Sequence, residues 1–482
     1  MVLTDEELID FNPWWRDAAW RAQDPHLLAL DDQPVRLPAD FVAGLDLEDP
    51  GVSVLRGPRQ VGKSTDLKLL VDRALDEGWD NRSVIYIALD LLEDQPVAEF
   101  ARTVRRARTL SGATKALLLL DEVTSVKGWQ NAVKSLWDSG VIRDDVVLCT
   151  GSSAIDLQAG AAERLPGRRR GGQDYLLLPQ SFASFACATE TALPSSPRLP
   201  VSELRSADGE QLLRDMQLHV PALDRGLSRY LLFGGLPAAV AEAVAGATEP
   251  SSDVRRIVWD SLVKELRRKG ASVPASQALI ARIANALGSE TSWSDLAREM
   301  DVPLGRRAEP GRTSHHTLKS YVELLAAGYF IFIAYFWKRG QGTNDLSKNK
   351  KLFFTDPLLH TVALDRAPGL TQDLPALVEN AVGLALYRKY ESPDRLADTF
   401  VSPERLHIWR TSKGGEIDFV AGAAEALDAV EVKYRNNPGL APGAAAAKAH
   451  PGRPVIVATK QHLDFHEHYS RVPASLLLWA LG

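Results

Sequence analysis

At 482 residues the chain is too long for one core, and roughly two to four domains are expected. Hydrophobic residues make up 45% and charged residues 24%, which is ordinary for a soluble globular protein. Lysine and arginine number 56 against 62 acidic residues, and the net charge of −6 excludes a globally basic nucleic-acid coat.

Cys149 sits in an apolar strand-like run and Cys187 in an Ala/Phe-rich one. Both read as small buried hydrophobes, which favours a reducing cytoplasm over a disulfide-forming compartment. The longest apolar run, Gly328–Phe336, is about half of what a bilayer helix needs. The acidic start "MVLTDEELIDF" lacks the basic region of a signal peptide. A cytoplasmic protein with no membrane partner is expected. The local basic stretches "RLPGRRRGG", "VKELRRKGAS" and "KRGQGTNDLSKNKK" read first as solvated surface.

In chain order, residues 1–45 are rich in Trp, Asp and Pro and predict a short helical cap packed by its aromatics. From Gly51 apolar strands alternate with helices: "VSVL", "KSTDLKLLVDRALDEG", "SVIYIALD", a helix over Ala98–Thr109, "KALLLLDEV", "WQNAVKSLWDSG" and "DDVVLCTGSS". Continuously apolar strands separated by helices predict an α/β fold with a parallel sheet covered on both faces, over 46–190.

Residues 191–254 begin with a Pro/Ser-rich loop and continue as helices with a turn at "FGGLP". Between 255 and 350, three helices followed by an apolar strand pair have the layout of a winged helix. Its third helix spans His315–Ala327 and is capped by Thr313 or Ser314. Residues 351–482 predict an amphipathic helix, "ALVENAVGLALYRKY", then a meander of "RLHIWRT", "GEIDFVAG" and "ALDAVEVKY". An Ala-rich helix, "GLAPGAAAAKAH", and a strand, "RPVIVATK", follow.

Gly57, Pro58, Arg59, Gln60, Val61, Gly62, Lys63 and Ser64 fit G-x-x-x-x-G-K-[ST], between a strand and a helix as a phosphate loop requires. Glycines let backbone N–H groups curl around phosphate oxygens, and the helix N-terminus favours anions. With Thr65 these residues form the expected ATP site; Lys63 reaches the β/γ-phosphates and Ser64 ligates Mg²⁺. Asp121 and Glu122 close the strand "ALLLLDEV", where ligands bind in open α/β sheets. Asp121 is the second Mg²⁺ ligand, and Glu122 polarises the attacking water. Thr150 or Ser152, on the next strand tip, is placed to sense the γ-phosphate. Arg164 and Arg168 either stabilise the transition state, in cis or from a second subunit, or belong to a flexible basic loop.

"GPRQVGKST", "LLLLDEV", "CTGSS", "LPGR" and "YLLLPQSFASF", in this order, resemble the prokaryotic AAA-type ATP-binding proteins related to archaeal ATPases. The resemblance runs from about Gly51 to the end. It implies an AAA-like P-loop ATPase core, a winged-helix middle domain and a C-terminal α/β domain resembling restriction-endonuclease folds.

In that last region Asp418 lies on one strand, and Glu431 and Lys433 lie on one face of the next. Two carboxylates beside an ammonium suit a divalent ion and a water that Lys433 orients or deprotonates. Glu379, on the preceding helix, supplies a third oxygen. The set resembles the PD-(D/E)-x-K phosphodiesterase pattern, though an alternating charged hairpin also looks like this. The pair His315-His316 reads as helix surface, because adjacent helix residues point about 100° apart.

The expectation is therefore an ATPase, with ATP and Mg²⁺ as cofactors. Its nucleotide state controls DNA engagement, and it assembles as a homo-oligomer if an arginine acts in trans. The alternative is an ATP-dependent signalling or scaffold protein whose C-terminal module binds a partner without cleavage.

Overall fold

The apolar runs Gly51–Arg56, Leu117–Asp121 and Val146–Gly151 become strands buried along their whole length, as the absence of alternation requires. The computed structural model describes residues 3–37, 40–92, 95–152, 171–190, 193–300, 302, 304, 313–338, 342–367, 369–391, 405–410, 416–422, 427–436 and 455–482. Described residues up to Leu178 form one compact unit and those from Pro179 a second.

The first unit holds β1 (Gly51–Arg56), β2 (Val84–Ala88), β3 (Leu117–Asp121), β4 (Val146–Gly151) and β5 (Asp174–Leu176). They form a parallel sheet in the order β2-β3-β4-β1-β5. Because all strands run the same way, the loop after β1 and the ends of β3 and β4 meet at one edge. The N-terminal segment supplies α1 (Asp5–Phe11), α2 (Pro25–Asp31) and α3 (Asp40–Gly44). Then come α4 (Lys63–Asp76), α5 (Val97–Ser111) and α6 (Trp129–Asp138).

The N-terminal segment covers β2, which would otherwise be an open sheet edge. Trp14 and Trp15 each donate an indole N–H to the Val84 carbonyl at 2.9 Å. Asn12 acts as a short piece of strand: its amide donates to Tyr86 O at 3.0 Å and its oxygen accepts from Tyr86 N at 2.6 Å. Those aromatics therefore do more than fill a cap; they satisfy backbone groups that a sixth strand would have paired.

The second unit begins with α7 (Phe182–Thr189), α8 (Ala207–Asp215), α9 (Val220–Phe233) and α10 (Pro237–Val244). Between α9 and α10, Gly234 has φ +69° and a Cβ there would lie 1.7 Å from Asp356 Oδ1. The "FGGLP" turn thus needs glycine because a buried carboxylate occupies that space. Helices α11 (Ser252–Arg268), α12 (Val273–Asn285), α13 (Trp293–Arg298) and α14 (His315–Ala327) follow. Ser314 is the N-cap of α14, accepting from Thr317 N at 3.1 Å.

The strand pair after α14 differs from the expected wing. β6 (Ile331–Lys338) and β7 (Thr343–Phe354) end an eight-stranded sheet with β8 (Leu406–Arg410), β9 (Glu416–Ala421), β10 (Asp428–Lys433), β11 (Val455–Thr459), β12 (Asp464–Phe465) and β13 (Tyr469–Pro473). The order is β12-β13-β11-β10-β9-β8-β6-β7. A wing keeps one face in water, whereas β6 is buried at every position from Ile331 to Phe336. The expected boundary after residue 350 falls inside β7. β8, β9 and β10 form the expected antiparallel meander, but β11 pairs parallel to β10. The helix α15 (Leu358–Arg366) packs on α9, α11 and α12, whereas α16 (Leu374–Tyr390) and α17 (Ala474–Leu481) pack on this sheet. The expected Ala-rich helix lies outside the described residues.

Cys149 is buried and Cys187 is exposed, so the expectation of a buried thiol fails for Cys187. Its place on α7 puts it on the outer face of an otherwise apolar helix. Among the described residues no helix is long and apolar enough to cross a membrane.

Candidate functional site

The phosphate loop runs from the end of β1 to the start of α4. Gly57 is required by space: its Cβ would lie 2.1 Å from the Leu177 carbonyl oxygen. Gln60 adopts φ 66° and Gly62 φ 104°, so the loop turns twice through the left-handed region before the helix begins. Gly62 is the N-cap of this 14-residue helix and offers no side-chain hydrogen bond. The first-turn N–H groups at Lys63, Ser64 and Thr65 thus meet an end with no side-chain acceptor, the arrangement that phosphate oxygens satisfy.

Lys63 is 92% buried and folds back over the loop, donating to Gly57 O at 2.9 Å and Pro58 O at 2.8 Å. Burial pushes its ammonium down to about 8, against the attraction of Glu122 and Asp121; Arg59 adds to the lowering. An anion arriving at the loop would relieve this cost, so the residues fit a nucleotide triphosphate.

Asp121 ends β3, held from both neighbouring strands. Tyr86 on β2 donates to Asp121 Oδ2 at 2.9 Å, and Thr150 on β4 donates to Oδ1 at 2.5 Å. Glu122 follows at φ 53°, ψ 48°, a backbone region that non-glycine residues rarely enter. Its backbone N–H donates to Thr150 Oγ1 at 2.9 Å. Its Oε1 accepts from Thr124 Oγ1 and Ser152 Oγ, each at 2.7 Å. Burial raises the Glu122 carboxyl, but the Lys63 charge, the Ser152 and Thr124 hydroxyls and Arg59 outweigh it and hold the group below its ordinary value. Glu122 is thus an ionised carboxylate in fixed orientation.

Thr150 and Ser152, expected to sense a γ-phosphate, stand at the end of β4 with their hydroxyls bonded to Asp121 and Glu122. Tyr86 and Thr124 went unread in the sequence; only an aromatic polar residue near the tip of β2 hinted at the first. Arg164 and Arg168 lie outside the described residues.

The second constellation assembles on β7, β9, β10 and α16. Glu379, Asp418 and Lys433 line a cavity of about 210 Å³ together with Gly288, Ser289 and Asp373. Glu431 Oε2 accepts from Asp418 N at 3.1 Å, and Lys433 Nζ lies 2.5 Å from Glu431 Oε1 and 3.9 Å from Asp418 Oδ2. Asp418 Oδ2 also accepts from Val432 N at 2.8 Å.

At its centre stands a residue that sequence reading missed. Lys351 of β7 places Nζ 2.9 Å from Glu379 Oε1, 3.0 Å from Glu416 Oε1 and 3.0 Å from Asp418 Oδ1. Desolvation pushes the Glu379 carboxyl up to about 8, with repulsion from Asp418 adding to it; Lys351 opposes. Burial and the charge of Asp418 likewise raise Glu431 to about 7. Among the described residues no three His, Cys, Asp or Glu side chains are grouped to hold one metal ion. Mg²⁺ needs oxygens at about 2.0–2.1 Å in near-octahedral array, whereas these oxygens surround an ammonium. As arranged, they do not fit a divalent ion.

Residues 49–186 match the family model described as an AAA domain. With the five-stranded parallel sheet and its phosphate loop, this makes the segment an AAA-type, P-loop ATPase-like domain. Residues 224–368 and 375–477 match two families described as domains of unknown function, DUF8612 and DUF4143. An uncharacterised protein of Haemophilus influenzae is 25% identical over 390 residues, covering 80% of this chain and 82% of its own. The uncharacterised protein MJ1637 of Methanocaldococcus jannaschii is 22% identical over 343 residues, 69% of this chain and 67% of its own. Among solved structures, the Walker-type ATPase PABY2304 of Pyrococcus abyssi is similar, with TM-score 0.41 and 15% identity over 67% of this chain and 93% of that one. The Aeropyrum pernix ORC2 protein gives TM-score 0.33 and 14% identity over 66% of this chain and 88% of that one.

Proposed function

We propose that this protein binds ATP with Mg²⁺ at Gly57–Thr65, hydrolyses it, and uses the nucleotide state to control engagement of DNA by its second unit. The observation that carries the hydrolytic reading is Glu122, an ionised carboxylate fixed by Thr124 and Ser152 at a strand tip. From there it can hold and polarise a water, as ATP hydrolysis demands. Lys63 binds the β/γ-phosphates; Ser64 and Asp121 are the residues that would hold Mg²⁺, which offsets phosphate charge. Arg168, or Arg164, supplies transition-state charge, in cis or from a second copy in a homo-oligomer.

DNA engagement is supported by a basic edge on the helical part of the second unit. Lys264, Arg267, Arg268 and Lys269 are exposed at the end of α11. Lys269 donates to Ser320 O at 2.8 Å, which sets this edge beside α14, where His315 and His316 are exposed. Such a cluster neutralises phosphates without reading sequence. Glu379, Asp418 and Glu431 as metal ligands, with Lys433 as the catalytic group, make up the nuclease reading, in which a divalent ion would have to replace the ammonium of Lys351. The second reading, binding without cleavage, is favoured by the lysine that fills their centre.

The test is phosphate release, together with fluorescence anisotropy of a labelled duplex, for wild type and Lys63→Ala with ATP and with ADP. Wild type should release phosphate and bind duplex with an affinity that differs between nucleotides, and Lys63→Ala should do neither. Turnover undiminished in Lys63→Ala would sink the site; duplex affinity blind to nucleotide would sink the coupling.

A further inference from the structure

The ammonium of Lys351 has three N–H donors and faces three carboxylate oxygens at 2.9–3.0 Å, from Glu379, Glu416 and Asp418. It donates hydrogen bonds to Glu379 and Asp418 and is ion-paired with Glu416. The side chain is buried on a strand held by the sheet, so it is not a passing surface contact. Lys433 neutralises the fourth carboxylate, Glu431. Arg410 pairs with the outer oxygen of Glu416 at 3.3 Å. Four carboxylates thus face three cations of the chain itself, Lys351, Lys433 and Arg410, the last shared with Glu290, and isolated buried carboxylates would be costly without them.

We propose that Lys351 is the resident cation of this cluster, so that the C-terminal sheet assembles without a divalent metal and admits one only where Lys351 is displaced. A divalent ion entering beside Lys351 would face a positive charge a few ångströms away and find its oxygens already bonded. The nuclease-like residues are thereby held in a metal-excluding state. This stands whether or not the protein engages DNA, because it concerns only ion binding at Glu379, Glu416 and Asp418.

The test uses the full chain, stripped with EDTA and free of nucleotide, titrated with Mn²⁺ and followed by the loss of the free-ion paramagnetic resonance signal. Wild type should show no saturable Mn²⁺ binding that Asp418→Asn removes. Lys351→Met, which keeps the length and loses the charge, should gain a site, with affinity raised about tenfold or more. Adding Asp418→Asn to it should abolish that site. Where Lys351→Met does not fold, Lys351→Gln takes its place, since its amide still donates to the carboxylates. Saturable binding in wild type that Asp418→Asn removes and that loss of Lys351 leaves unchanged would overturn the proposal. So would a folded Lys351→Met or Lys351→Gln that takes up no more Mn²⁺ than wild type.

Discussion

The phenol of Tyr86 donates to Asp121 Oδ2 at 2.9 Å, across the neighbouring strands β2 and β3. Thr150 holds the other oxygen from β4, so the carboxylate expected to carry the metal is aimed by both flanking strands. The backbone of Tyr86 is itself bonded to Asn12. One residue therefore joins the N-terminal segment to the nucleotide site.

Tyr86→Phe removes that donor and leaves the ring, over which Lys68 Nζ sits at 3.8 Å. A hydrogen bond to a charged group contributes about 1.5–3 kcal/mol. ATP turnover should fall about tenfold or more, with nucleotide affinity changed less than threefold, because the loop itself is untouched. Steady-state phosphate release beside fluorescent-nucleotide titration separates the two; unchanged turnover would show that the phenol does not position Asp121.

Asn12→Ala deletes two amide donations, to Leu8 O at 2.7 Å and Tyr86 O at 3.0 Å, and leaves Tyr86 N without its acceptor. Asn12 is fully buried, so water does not replace these bonds. Urea unfolding should show a loss of about 2–4 kcal/mol. A loss under about 0.5 kcal/mol would mean that the segment is dispensable to the sheet edge.

Lys63 titrates near 8 because burial disfavours its charge. Nucleotide phosphates favour the charged form, so the bound state has the higher value and binding takes up a proton above that pH. Affinity should be flat below pH 8 and weaken above it, by up to about tenfold per pH unit. Titrations from pH 7 to 9.5 test this, and an affinity that rises with pH would reverse the assignment.

The nucleotide site was legible because its chemistry is local: Gly57, Gly62, Lys63 and Ser64 lie within eight positions, and Asp121-Glu122 close one apolar run. Its supports were not. Tyr86 and Asn12 reach the site only through strand pairing that no short pattern encodes. The same holds for Lys351, 28 residues from Glu379 and 67 from Asp418 along the chain. The Asp418, Glu431 and Lys433 spacing was readable because a period of two fixes the face of a strand. The lysine filling that face arrives from β7, which the sequence suggested was a wing. The run Ile331–Phe336 carried the corrective signal, since continuous apolar character marks a strand covered on both faces.

The most direct test of the central claim is single-turnover ATP hydrolysis by wild type and Glu122→Gln at matched nucleotide occupancy. Removing the carboxylate charge while keeping the side-chain shape should leave ATP bound and slow hydrolysis at least a hundredfold, on the order expected for a positioned general base. Hydrolysis by Glu122→Gln at the wild-type rate would contradict the account.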